Sequence, residues 1–279
     1  MTKIQQKILI YTDFSEVGQK SIEWGIFLAK KIEKNILLIH VIDKNSVNYL
    51  GDNTKEKATI LLNNICQEII SKESINCESY IEEGCTCTII NSTAEKIDAF
   101  IVVLGTHGKS DIQFLSGLDT GKIIRKSRIP YFVVQKNTLS PNYQNGIILP
   151  IDFRKENKEK TSWVSFFAKY LKTDIKIFYP DSNDDSIKNN IQFCTKFFND
   201  LSLTYEKVIV QSSLFNDLEK NAIKFAKNNN AFAIVILTTK NSSFFDKIFG
   251  FKEDKLISNK QNIPVLCINP RKDLYIPCV

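Results

Sequence analysis

The sequence predicts an α/β protein made of two tandem five-stranded parallel sheets with helices on both faces. Three observations carry this. The chain has 279 residues, which is about two domains at roughly 150 residues each. Residues 8–37 laid over residues 147–176 bring Ile8 onto Ile147, Asp13 onto Asp152, Phe14 onto Phe153, Trp24 onto Trp163 and Phe27 onto Phe166. The chain has only 2 tryptophans, and they fall on each other. Each half also alternates short apolar runs with longer amphipathic stretches, the pattern of parallel strands joined by right-handed helical crossovers.

A second match closes each half. Ala99–Leu104 corresponds to Phe232–Leu237, and each run leads through a polar loop to a glycine (Gly117, Gly250), a short helical pattern and Ile-Pro (Ile129-Pro130, Ile263-Pro264). The domains are therefore read as 1–139 and 146–279. Leu139–Asn145, with Ser140-Pro141-Asn142 inside it, has the turn composition of a linker.

In the first copy, Lys7–Thr12 is a short apolar run, expected as a strand covered on both faces. Ser15–Lys34 follows as a helix, with Val17, Ile22, Trp24, Leu28 and Ile32 at helical spacing and Ser15 as its N-cap. Then come strand Ile36–Ile42, helix Thr54–Ser71, strand Cys77–Glu82, helix Thr86–Lys96, strand Ala99–Leu104, helix Asp119–Ser127 and strand Tyr131–Val134. The second copy reads as strand Ile147–Ile151, helix Glu156–Leu171, strand Ile175–Tyr179, helix Ser186–Leu201 and strand Thr204–Val210. Helix Leu214–Asn228, strand Phe232–Leu237, helix Glu253–Asn259 and strand Val265–Ile268 complete it. Tyr131–Val134 and Val265–Ile268 would be exposed sheet edges, an aggregation liability. Pairing them with each other in an internal pseudo-dimer removes it.

Composition narrows the function class. A formal charge of +6 with no basic tail argues against a DNA- or RNA-binding arm. An odd count of 7 scattered cysteines and an N-terminus without an apolar export segment read as reduced thiols in a cytoplasmic protein. No apolar run approaches the roughly 18 residues of a membrane span. With 43% apolar residues and 19 Phe, the chain can fill its cores.

Ligands of open parallel sheets bind beyond the carboxyl ends of the strands, where strand order reverses. In the first copy those ends carry Thr12-Asp13-Phe14-Ser15, His40-Val41-Ile42-Asp43 and Gly105-Thr106-His107-Gly108-Lys109-Ser110, then Ser116-Gly117-Leu118. Gly105 and Gly108 flank a strand-exit turn, where a missing Cβ lets backbone N–H groups approach an anion. With Gly117 ahead of the next helix they can form a phosphate cradle, with Lys109 and Lys122 supplying charge. Asp13 can accept from a ribose hydroxyl or an adenine amino group. The same glycines read equally well as plain turn formers.

These residues, in this order, resemble the universal stress protein family. Ile8-Leu9-Ile10-Tyr11-Thr12-Asp13 matches its opening strand, and Gly105-Thr106-His107-Gly108 the first part of its Gly-x-x-Gly-(nine residues)-Gly-Ser/Thr nucleotide motif. Here eight residues separate Gly108 from Gly117, and Leu118 replaces the hydroxyl residue, for which Thr120 can substitute from two positions later. The resemblance spans both copies. It implies sheet order 3-2-1-4-5, an adenine-nucleotide alpha-hydrolase-like fold, a stress-response regulatory role and ATP or AMP as ligand, with Mg accompanying ATP. It implies Asp13, Val41, Gly105, His107, Gly108, Lys109, Gly117 and Thr120 as the binding residues, and a homodimer as a further assembly.

The second copy keeps Asp152, but Thr238-Thr239-Lys240-Asn241-Ser242-Ser243 lacks both cradle glycines, Gly250 is followed by Phe251, and Pro180 stands in the place of Val41. It is expected to be a structural partner. A second overall reading is a nucleotide-free scaffold for dimerisation or partner docking, which Leu118 favours. Slow ATP hydrolysis is a third, with only His107 and Asp111 near the glycine loop as bases. Gly117–Ile123 is one residue short of a P-loop and has Ile123 where Ser or Thr belongs. Cys77, Cys85 and Cys87 lack partners for a metal shell in a chain with 2 His. His40 reads as a packed, satisfied histidine, and Arg154–Lys160 as a solvated first helical turn.

Overall fold

The computed structural model describes residues 6–106, 120–141, 145–211, 218–238 and 256–270. The chain divides into two units, Met1–Ser140 and Pro141–Val279. The first runs β1 (Lys7–Tyr11), α1 (Glu16–Ile32), β2 (Asn35–Ile42), α2 (Lys44–Leu50), α3 (Thr54–Glu73) and β3 (Cys77–Glu83), then α4 (Thr86–Lys96), β4 (Ile101–Thr106), α5 (Thr120–Lys126) and β5 (Tyr131–Gln135). All its strand pairs are parallel, and the order is β3-β2-β1-β4-β5. This is the expected 3-2-1-4-5.

The second unit runs β6 (Ile147–Pro150), α6 (Asn157–Leu171), β7 (Ile175–Pro180), α7 (Asp185–Asp200), β8 (Tyr205–Val210), α8 (Leu218–Asn228), β9 (Ala233–Leu237) and β10 (Val265–Ile268). Its parallel pairs give β8-β7-β6-β9-β10, the same order. The fold is α/β in both units. Of the helix read at Glu253–Asn259, only the end around Leu256 and Ile257 lies within the described residues.

The cores follow from the patterning. Ile8, Leu9 and Ile10 are fully buried, as are Ile101 to Leu104, because helices cover both faces of a parallel sheet. Helix α1 lays Val17, Ile22, Trp24, Leu28 and Ile32 inward. Ser15 caps it by accepting from the Gly18 N–H at 3.2 Å, and Glu33 ends it in the left-handed region at φ 53°. The strand order reverses between β1 and β4, so their carboxyl ends frame the crevice where a ligand of this fold class sits.

Two details differ from the sequence expectation. Helix α2 has no apolar periodicity to announce it. It exists because Asp43 caps it, its Oδ1 accepting from the Ser46 N–H at 2.9 Å. The second is register. Phe100 N–H donates to Lys7 O, whereas in the second unit Phe232 N–H donates to Gly146 O. Ile8 pairs with Ile101, and Ile147 pairs with Ala233. Ala99–Leu104 therefore corresponds to Ala231–Ile236, one residue from the sequence alignment. Thr238 stands at the position of Thr106, and Leu237 at that of Gly105. In a uniformly apolar run no polar residue marks the period, so a one-residue slip leaves the pattern unchanged.

Candidate functional site

The carboxyl ends of β1, β2 and β4 gather the polar groups of the first unit. Asp13 follows β1 in a tight turn. Its Oδ1 accepts from the Ser15 N–H at 3.0 Å and the Ser15 hydroxyl at 2.5 Å, and Phe14 between them takes φ 62°. A non-glycine residue there is held by its surroundings. Gly18 shapes the same corner. A Cβ on it would lie 2.7 Å from both Asp13 Oδ1 and Thr12 Oγ1, so glycine lets the first turn of α1 close onto the aspartate.

At the end of β2, His40 is fully buried. Its Nδ1 lies 2.8 Å from Thr12 O, and a carbonyl only accepts, so Nδ1 carries the proton and Nε2 the lone pair. Nε2 has no partner among the described residues, which corrects the expectation of a satisfied histidine. An orphaned buried acceptor costs about 1–3 kcal/mol. Burial pushes the His40 pKa below the ordinary imidazole range, against the opposing hydrogen bond to Thr12 and the carboxylates of Asp13 and Asp43. The Phe14 ring lies 4.4 Å from the imidazole, centroid to centroid.

Val41 follows in β2. The Ile39 carbonyl two residues earlier accepts from Thr12 N–H, so the Val41 backbone groups face the same side, beyond the end of β1. Its carbonyl accepts from Ser46 Oγ at 3.1 Å. Asp43 reaches across to α4 through Thr86 Oγ1 at 3.3 Å. Sequence reasoning missed this Val41–Asp43–Ser46–Thr86 linkage, because it joins one backbone carbonyl to three polar side chains scattered along the chain.

Gly105 lies inside β4, paired with Val134, rather than in a turn after it. A Cβ there would meet Val17 Cγ1 at 2.3 Å, Val17 O at 2.7 Å and Ser21 Oγ at 2.8 Å. Close packing of α1 on β4 accounts for this glycine. Thr120 opens α5 with its hydroxyl 3.4 Å from that of Thr106, which brings the start of α5 to the end of β4. The structure thus gathers Asp13, Val41, Gly105 and Thr120 around the ends of β1, β2 and β4. His107, Gly108, Lys109 and Gly117 lie outside the described residues, as do Asn241 and Gly250; the side chain of Lys122 does too.

The equivalent corner of the second unit is filled from within. Asp152 Oδ1 accepts from the Arg154 N–H at 2.9 Å and from Asn157 Nδ2 at 2.8 Å. The Arg154 guanidinium holds Asp152 Oδ2 at 2.7 Å and Glu219 at 3.1 Å. Asn190 Nδ2 binds the carbonyls of Asp152 and Arg154. Lys160 is 1% exposed and its ammonium donates to Pro150 O. Burial pushes the Lys160 pKa down to about 8, while Asp152 and Glu219 oppose the shift. Burial alone would raise the Asp152 pKa, but Lys160, Arg154 and Asn157 outweigh it and hold the carboxylate below its usual range.

Arg154–Lys160 is therefore a solvated turn only in part: Lys155 and Lys158 are exposed, whereas Asn157 and Lys160 are buried. The repeat itself carried the signal: at the offset that pairs Asp13 with Asp152, Lys160 falls on Ser21 and Asn157 on Gly18, both buried positions of α1.

Among the described residues no helix is long and apolar enough to cross a membrane. Residues 5–135 match the universal stress protein family. Universal stress protein MJ0531 of Methanocaldococcus jannaschii is 28% identical over 142 residues, covering 48% of this chain and 84% of that one. MJ0577 of the same organism is 27% identical over 161 residues, covering 49% and 98%. The crystal structure of a universal stress protein from Archaeoglobus fulgidus superposes with TM-score 0.76 at 18% identity, over 96% of this chain and 99% of that one. Residues 5–135 thus match the universal stress protein family, and the fold over nearly the whole chain is similar to that of a universal stress protein.

Proposed function

We propose that this stress-response protein binds an adenine nucleotide, ATP or AMP, in its first half, and that its second half is structural. The observation that carries this is the contrast between two equivalent aspartates. Asp13 is held by the short Ser15 side chain, whereas Asp152 is held by a guanidinium that also engages Glu219. Ser15 thus offers Asp13 a hydroxyl at the position from which Arg154 offers Asp152 a cation. The orphaned His40 Nε2 beside Asp13 supports the same reading, since a ligand donor would satisfy it. Asp13 and the Val41 backbone would take the base and ribose; Gly105, His107, Gly108, Lys109, Gly117 and Thr120 would surround the phosphates, with Mg joining ATP there.

Chain purified without added ligand should release an adenine nucleotide on denaturation, and calorimetric titration with ATP or AMP should give one site per chain. Asp13→Ala and, separately, Gly108→Val should abolish it. Two equivalent sites, or affinity unchanged in both variants, would overturn the assignment. Absence of any nucleotide binding would favour the scaffold reading, for which Leu118 at the hydroxyl position is the supporting feature.

A further inference from the structure

Away from this corner, two buried thiols face each other. Cys66 lies on the inner side of α3, 4% exposed, and Cys77 is the first residue of β3, 5% exposed. Their Sγ atoms are 3.0 Å apart. A disulfide bond is about 2.04 Å long, so bonding needs an approach of about 1 Å between sulfurs that already point at each other. The chain between them is short: the end of α3, left-handed Ser74 at φ 57° and the turn into β3.

The two thiols are chemically unlike. The Cys77 S–H donates to Cys66 Sγ. That hydrogen bond lowers the Cys66 pKa against the opposing effect of burial, and it raises that of Cys77, which burial raises further. One sulfur is thus prepared to ionise and the other to keep its proton. This asymmetry is what a two-step oxidation uses. Cys194, by contrast, faces Thr161 and is pushed up to about 11 by burial.

Placement gives the pair a consequence. β3 is the outer strand beside β2 in the first unit's order, and an outer strand is where a sheet opens first. A covalent link from α3 to β3 would pin that strand and shorten the accessible unfolded chain. We infer that Cys66 and Cys77 are a dithiol that hydrogen peroxide converts into an intramolecular disulfide, stapling the outer strand of the first unit to its covering helix.

The Cys66 thiolate attacks one peroxide oxygen; the O–O bond breaks, and the other oxygen leaves as hydroxide and takes up a proton to become water. Cys66 is then a sulfenic acid. The Cys77 sulfur attacks the Cys66 sulfur, the S–S bond forms, the S–O bond breaks, and the hydroxyl leaves as water with the Cys77 proton. Two thiols and one peroxide give one disulfide and two waters. The staple sits at the amino-terminal ends of the strands, and the seven residues of β3 set it about 20 Å from the carboxyl-end corner at roughly 3.3 Å per residue.

The test treats the full chain with hydrogen peroxide, blocks remaining thiols with N-ethylmaleimide in denaturant, and digests with trypsin and an endoprotease cleaving after glutamate. Unreduced mass spectrometry should show residues 58–68 joined to residues 74–78, the species vanishing with dithiothreitol. The oxidised chain should melt a few degrees higher than the reduced one, a shift absent in Cys77→Ser. N-ethylmaleimide on both Cys66 and Cys77 after peroxide, sulfinic acid on Cys66, or either residue joined to a different cysteine would overturn the pairing. A cross-linked chain with unchanged melting would overturn the staple. Nucleotide affinity should be equal in both redox states, so the outcome here is independent of the proposed nucleotide site.

Discussion

The Arg154 guanidinium donates to the Asp152 carboxylate at 2.7 Å, at the position where the first unit places Ser15 against Asp13. Truncating it strands two carboxylates, Asp152 and Glu219, whose side chains are 15% and 25% exposed. Arg154→Ala should lower unfolding stability by about 2–4 kcal/mol, toward the range for breaking a buried pair. Arg154→Lys should recover only part, since an ammonium cannot span both carboxylates as the planar fork does. Urea unfolding of the three chains measures both effects.

Lys160 imposes a pH signature. Its pKa is about 8 in the folded chain against an ordinary 10.5. Between those values the unfolded chain binds a proton that the folded chain has lost, so stability rises with pH across this window. Below about pH 8 both states are protonated and the full cost of burying the ammonium remains. The difference in stability between the wild-type chain and Lys160→Met should therefore shift by about 3 kcal/mol in favour of wild type from pH 8 to 10.5, at about 1.4 kcal/mol per unit. Denaturant titrations at stepped pH check this.

His40 acts in the acid range. Burial lowers its pKa from 6.5, so the unfolded chain takes up a proton before the folded chain does. Stability should fall as pH drops below about 6.5. His40→Gln, which keeps an amide donor toward Thr12 O, should show a shallower fall in thermal melts between pH 7 and 5. Equal slopes in the two chains would refute this.

Gly105 should tolerate no side chain. A methyl at 2.3 Å from Val17 Cγ1 and 2.7 Å from its carbonyl must push α1 away from β4. Gly105→Ala should cost about 1–3 kcal/mol, the usual range for overpacking. Chemical denaturation reads the loss directly, and Val17→Ala on the same chain should restore part of it by removing the nearest atom.

Much of this protein was legible without coordinates. Asp13 with Asp152 and Trp24 with Trp163 revealed the duplication, and the apolar runs located the strands to within a residue or two. Ser15 announced the start of α1, because capping and periodicity are local properties of the chain. The short helix α2 escaped because one aspartate cap, rather than an apolar stripe, creates it. Gly105 was legible as a necessary glycine, but its cause was not: the atoms excluding a Cβ belong to Val17 and Ser21, far away in sequence.

Hydrophobic period and turn residues set the class of fold, its repetition and the strand ends where chemistry gathers, because they are local properties of the chain. Only packing set the β4–β9 equivalence, the orphaned Nε2 of His40, the Cys66–Cys77 contact and the closure of Arg154 onto Asp152 and Glu219. Each depends on which distant atoms surround a group. In the second unit Lys160 became interior, and Arg154 half-buried, because Asp152, Glu219 and the Pro150 carbonyl were brought around them to neutralise and hydrogen-bond them.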